Sequence, residues 1–77
     1  MGKPTRITNA IRALRFAHGE MTQAQLAQHI GVTRQTVIAI EQGHYSPSLE
    51  MAFQIARVFQ VPLDEVFQYP DGQGEPL

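Results

Sequence analysis

A chain of 77 residues with 43% hydrophobic and 17% charged residues has the composition of one small globular domain rather than of a disordered segment. It has no cysteine, which excludes a disulfide framework and a cysteine-based zinc site. No apolar run approaches the ~20 residues of a membrane span and no signal-peptide core opens the chain, so a soluble, cytoplasmic protein is expected. The formal net charge of -1 hides a division: before residue 35 five Lys and Arg face Glu20 alone, and from there on six acids face Arg57 alone. Such a split suggests one side facing a polyanion and another turned away from it.

Helical periodicity runs through nearly the whole chain. Ile7, Ala10, Ile11, Leu14 and Ala17 form one apolar stripe, predicting a first helix that stops near Gly19. Thr22-Gln23-Ala24-Gln25 is a capping box, which opens a second helix with Leu26, Ala27 and Ile30 inward and Gly31 as its stop. Thr33 caps a third helix to about Gln42, with Val37 and Ile40 inward and Gly43 closing it. His44-Tyr45-Ser46-Pro47 reads as a loop, followed by a fourth helix that starts between Ser46 and Ser48. That helix is expected to bury Leu49, Ala52, Phe53, Ala56 and Phe59. Pro62 fits the first turn of a short fifth helix carrying Leu63, Val66 and Phe67. Residues 70–77, with two Gly and two Pro, read as a flexible tail, which puts the folded domain at residues 1–69. No strand-like alternation is long enough to register, so the expected fold class is all-α with five helices.

The centre of the chain carries the functional signal. Two short helices joined by a turn of three or four residues cross closely, at about 90–120°. Ala27 supplies a small residue where the helices touch, Gly31 a backbone tolerant of positive φ, and Val37 and Ile40 the apolar anchors of the second helix. This pattern is a helix-turn-helix at helices two and three, more specific than an ordinary helical hairpin.

At these residues the chain resembles the XRE-type, lambda repressor-like (Cro/repressor) family of helix-turn-helix transcriptional regulators. The resemblance runs from about Ile7 to Phe67. It rests on Arg15, Thr22-Gln23, Ala27, Gly31, Thr33-Arg34-Gln35-Thr36-Val37, Glu41-Gln42-Gly43 and Pro47-Ser48-Leu49-Glu50. One departure is a link, Gly19-Glu20-Met21, one residue longer than usual. The resemblance implies double-stranded DNA as partner, with the third helix in the major groove. Arg34 has the chemistry to pair with guanine O6 and N7, and Gln35 with adenine N6 and N7. Thr33, Thr36 and Ile38 can add hydroxyl and methyl contacts to the bases.

Phosphate contacts position a protein without reading sequence. Thr22 and Gln23, at a helix N-terminus, suit that role, and the resemblance adds His44, Tyr45 and Ser46 after the third helix. For Tyr45 a packed loop aromatic is an equal alternative; Arg6 and Arg12 fit either backbone approach or a solvated helix face. The resemblance also pairs Arg15 with Glu41, a guanidinium fork that would hold the third helix against the scaffold.

His18, His29 and His44 lack the spacing of a helical metal pair, and neither a catalytic triad motif nor a Gly-rich phosphate loop occurs. No enzyme activity, cofactor or metal is therefore expected. The reading is a homodimeric, sequence-specific repressor on a pseudo-palindromic operator. Dimerisation is expected through the C-terminal part, where Met51, Val58, Val61, Leu63, Val66, Phe67 and Tyr69 exceed the needs of one core. Two competing readings share the fold: a protein-interaction module, kept open by only six Lys and Arg, and an antitoxin with secondary DNA binding.

Overall fold

Five helices follow one another between two short strands across residues 5–70, the part of the chain that the computed structural model describes. Except for Pro70, the expected tail lies outside the described residues. In chain order the elements are β1 (Thr8–Asn9), α1 (Ile11–Ala17), α2 (Gln23–Ile30), α3 (Arg34–Glu41), α4 (Leu49–Phe59), α5 (Leu63–Val66) and β2 (Phe67–Gln68). No described helix is long and apolar enough to cross a membrane.

Local chemistry sets the helix ends. At α2 the Thr22 hydroxyl accepts from the Gln25 N–H at 3.0 Å while the Gln25 side-chain oxygen accepts from the Thr22 N–H at 2.8 Å. This reciprocal box satisfies two of the amide donors that a helix start leaves free. Gly31 ends α2 at φ 73, a left-handed backbone that glycine adopts without a side-chain clash. Thr33 and Ser48 cap α3 and α4 in the same way, accepting from the N–H groups of Thr36 and Met51. The side chains of Ile11, Leu26, Val37, Ile40, Ile55, Phe59 and Val66 meet in one core.

Three expectations are corrected. The first helix begins at Ile11, not near Ile7, because the Asn9 side chain accepts from the Ile11 N–H at 3.1 Å and turns the chain into the helix there. Ile7 belongs to the extended segment ahead of it, and Ala17 is exposed. The segments counted as strandless pair antiparallel, Thr8 opposite Gln68 and Asn9 opposite Phe67. Two-residue strands are too short to show a period of two in sequence. On α4 the buried stripe is Ala52, Ile55, Ala56 and Phe59, whereas Leu49 and Phe53 are 68% and 51% exposed. Leu49 and Phe53 stand four residues apart on a row flanking that stripe, so both cannot face the core with it.

The link between α1 and α2, Gly19-Glu20-Met21, has a defined geometry. Gly19 and Glu20 both take positive φ, 73 and 55. The turn brings the Met21 N–H onto the Arg15 carbonyl at 2.9 Å, and the Arg15 guanidinium donates back to the Met21 carbonyl at 2.8 Å. Phe16 is left exposed, and the His18 ring packs edge-on against Phe59 with centroids 5.2 Å apart.

Candidate functional site

The N-terminal ends of α2 and α3 open on one concave face. A hollow of about 640 Å³ there is lined by Thr22, Gln23 and Arg34 together with Arg12, Arg15 and Glu41. Arg12 stands three residues before Arg15, on the same side of α1, so α1 adds a cation to the face formed by the other two helices. Arg34 and Gln35 are exposed at the first turn of α3, with long donor-bearing side chains free to reach outward. Thr36 and Ile38 are half-buried behind them. Thr33 is exposed, but its hydroxyl accepts from the Thr36 N–H at 3.2 Å and lies 3.1 Å from the Thr36 hydroxyl. Thr33 thus caps α3 and holds Thr36, leaving the outward positions to Arg34 and Gln35.

A polar network in the wall of the hollow ties α3 to the scaffold. Arg15 Nε donates to Glu41 Oε2 at 2.7 Å and Nη2 to Glu41 Oε1 at 3.2 Å, a two-point fork with side chains 15% and 10% exposed. Gln23 Nε2 also donates to Glu41 Oε1, at 3.3 Å. Glu41 lies in the last turn of α3, where the helix dipole disfavours a carboxylate, and the Arg15 cation offsets that. Gln23 therefore touches both the open face and the network that sets the pitch of α3.

His44, Tyr45 and Ser46 follow α3 and do not line this hollow. His44 and Ser46 are exposed, while the Tyr45 ring packs against the core. No three His, Cys, Asp or Glu among the described residues gather into a group that could hold a metal ion. Sequence reasoning left Arg12 undecided and overlooked Asn9, whose amide donates to the Ile40 carbonyl at 3.1 Å and the Glu41 carbonyl at 3.4 Å. For Arg12 the signal was its three-residue spacing from Arg15; for Asn9 it was an Asn two residues before an apolar helix start.

A separate, apolar cleft of about 510 Å³ is lined chiefly by Ile7, Phe53, Leu63, Phe67 and Tyr69. Of the C-terminal residues expected to remain at the surface, Val66 is fully buried. Met51, Val58, Val61, Leu63 and Phe67 pack partly against the core, and Tyr69 is 65% exposed.

A family model described as helix-turn-helix matches residues 11–66. A helix-turn-helix-type transcriptional regulator of Methanocaldococcus jannaschii is 46% identical over 65 residues, which are 84% of this chain and 97% of that protein. The cryptic phage CTXphi transcriptional repressor RstR of Vibrio cholerae is 36% identical over 59 residues, 77% of this chain and 52% of that one. Among solved structures, the restriction-modification controller protein C.AhdI of Aeromonas hydrophila is similar with a TM-score of 0.64 and 31% identity, over 71% of this chain and 78% of its own.

Proposed function

The chain belongs to the XRE-type helix-turn-helix family of transcriptional regulators, and on that premise we propose that it is a homodimeric repressor reading the major groove with α3. The observation that carries this reading is the pairing of chemistries on one concave face. Arg34, which can read base edges, lines the same hollow as the capped N-terminus of α2 and the guanidinium of Arg12, which suit phosphates, and Gln35 follows it exposed on the first turn of α3. In this reading Arg34 and Gln35 contact bases, with Thr36 and Ile38 adding methyl contacts, and Thr22, Gln23 and Arg12 hold the backbone. His44 and Ser46 approach a phosphate from the loop, and Tyr45 supports that loop from the core side. Repression is the sign proposed, since a protein of this size seated within a promoter would exclude whatever else must bind there. The similarity to the transcriptional repressor RstR supports the same sign. The working compartment is the cytoplasm, where an operator is accessible.

Selection from fragmented genomic DNA with the purified protein, at stated salt, tests this function. The expected product is one pseudo-palindromic motif with half-sites 10–10.5 base pairs apart, or a multiple of that spacing. Recovery of no DNA above background at any salt concentration would instead favour a protein-interaction role.

The apolar cleft supplies the dimer surface. Phe53 and Tyr69 expose large aromatic area beside it, Asp64 lines it, and Arg6 sits over the Tyr69 ring at 5.6 Å. An apolar centre flanked by opposite charges suits a self-complementary, two-fold contact. A Phe53→Glu variant should sediment as the 8.6 kDa monomer at low micromolar concentration while keeping its helical spectrum, because the side chain lies half outside the core. The parent should sediment as a dimer. A parent that is monomeric both free and on DNA would refute the dimer.

A further inference from the structure

The N-terminal segment, residues 5–10, binds two parts of the molecule that the proposed function uses separately. On one side it grips the end of α3: the Thr5 N–H donates to the Gly43 carbonyl at 3.0 Å, and Asn9 Nδ2 donates to the carbonyls of Ile40 and Glu41. On the other it is tied to the residues beside the apolar cleft. β1 pairs with β2, the Ala10 N–H donates to the Val66 carbonyl at 2.9 Å, and the Thr8 hydroxyl donates to the Gln68 carbonyl at 3.3 Å.

Asn9 is where these ties meet. Its backbone pairs with Phe67, its Oδ1 accepts from the Ile11 N–H, and its Nδ2 closes the end of α3. Only one orientation of the amide satisfies both sets of partners, since the Ile11 N–H needs an acceptor and the two carbonyls need a donor. The Gly43 N–H already closes onto the Ile40 carbonyl at 3.1 Å, so the α3 carbonyl that depends on a distant donor is that of Glu41. No basic residue lies in its last turn, and among the described residues the Glu41 carbonyl receives a hydrogen bond from Asn9 alone. The partial negative charge of the helix terminus therefore faces a donor that arrives from 31 residues away in sequence.

We infer that Asn9 is a positioning residue for DNA recognition, fixing the angle of α3 to the strand pair beside the dimer cleft. This rests on the dimeric, DNA-reading function proposed above. The distance between the two recognition helices of a dimer is set by the geometry from cleft to α3 in each copy. A rigid tie along that path makes the dimer selective for half-site spacing, and a loosened tie makes it tolerant.

The test compares the parent, Asn9→Asp, Asn9→Ser and a stability control, Ile11→Val, well below their melting temperatures and with binding normalised to active protein. Asn9→Asp keeps the acceptor for Ile11 but turns a carboxylate toward two carbonyls. Asn9→Ser keeps a short acceptor that cannot reach α3 and adds no charge, so it serves if the Asp variant does not fold. The probes are the selected operator, the same operator with one base pair inserted between half-sites, and random duplex. The parent should discriminate against the insertion, and the Asn9 variants should lose about fivefold or more of that discrimination, the low end of coupling between sites. Ile11→Val should retain it, although it melts earlier. Asn9 variants that melt earlier yet keep the parent's discrimination would overturn the inference and leave Asn9 a stability residue. A parent insensitive to the insertion would instead refute the dimeric reading on which the inference stands, and the inference with it.

Discussion

An Arg15→Ala variant is expected to melt roughly 12–24 °C below the parent, the largest stability effect of any single substitution on the functional face. The Arg15–Glu41 pair is nearly withdrawn from solvent, with side chains 15% and 10% exposed, and the guanidinium serves three oxygens: both of Glu41 and the carbonyl of Met21. Removing it leaves a carboxylate in the last turn of α3 with Gln23 Nε2 as its remaining side-chain donor. Breaking a buried pair from one side costs about 3–5 kcal/mol, against ~0–1 kcal/mol for an exposed one. Slight solvent access argues for the lower end, and a domain this small loses about 4–8 °C per kcal/mol. Arg15→Lys should fall between the two, since one ammonium cannot fork onto both carboxylate oxygens while reaching Met21. Thermal melts followed by circular dichroism decide the matter; an Arg15→Ala melting point within ~4 °C of the parent would show that the pair contributes no more than a surface contact.

The second large effect is on recognition. Replacing Arg34 by Ala is expected to weaken binding to the selected operator by about 1–3 kcal/mol, roughly 5- to 150-fold, and to relax preference at one base position per half-site. Arg34 is exposed at the start of α3 but also borders the hollow that holds Gln23 and Arg12. The same variant therefore distinguishes two roles. A base reader loses affinity for the operator far more than for random duplex. A phosphate holder weakens both alike and lowers the salt slope by about one. Equal weakening of both DNAs by Arg34→Ala would move base reading away from this residue.

What the sequence discloses about this molecule divides along the range of the interactions involved. The starts of α2 and α3 are readable because Thr22, Gln25 and Thr33 act within three residues, and Gly31 answers a backbone demand at its own position. Family resemblance supplies the pairing of Arg15 with Glu41, 26 residues apart, which spacing alone cannot. The contacts of Asn9 with the end of α3 follow no local pattern, because an Asn two residues before a helix reads only as a side-chain turn leading into that helix. Leu49 and Phe53 were misplaced for a related reason: a period of 3.6 identifies an apolar helix, but not which of two adjacent apolar rows meets the core. The row left outside is the one that lends Phe53 to the cleft.

The central claim is that α3 reads base sequence in duplex DNA from a face that also grips phosphates. Its most direct measurement is the affinity of the parent for the selected operator and for a shuffled duplex of equal length and composition, each across a series of salt concentrations. The expected result has two parts. Both affinities fall linearly on a log–log plot with a slope of about −0.9 per phosphate neutralised. The operator stays about 10³-fold or more tighter than the shuffled duplex at physiological salt. Equal affinities for the two duplexes, or an affinity that does not change with salt, would contradict it.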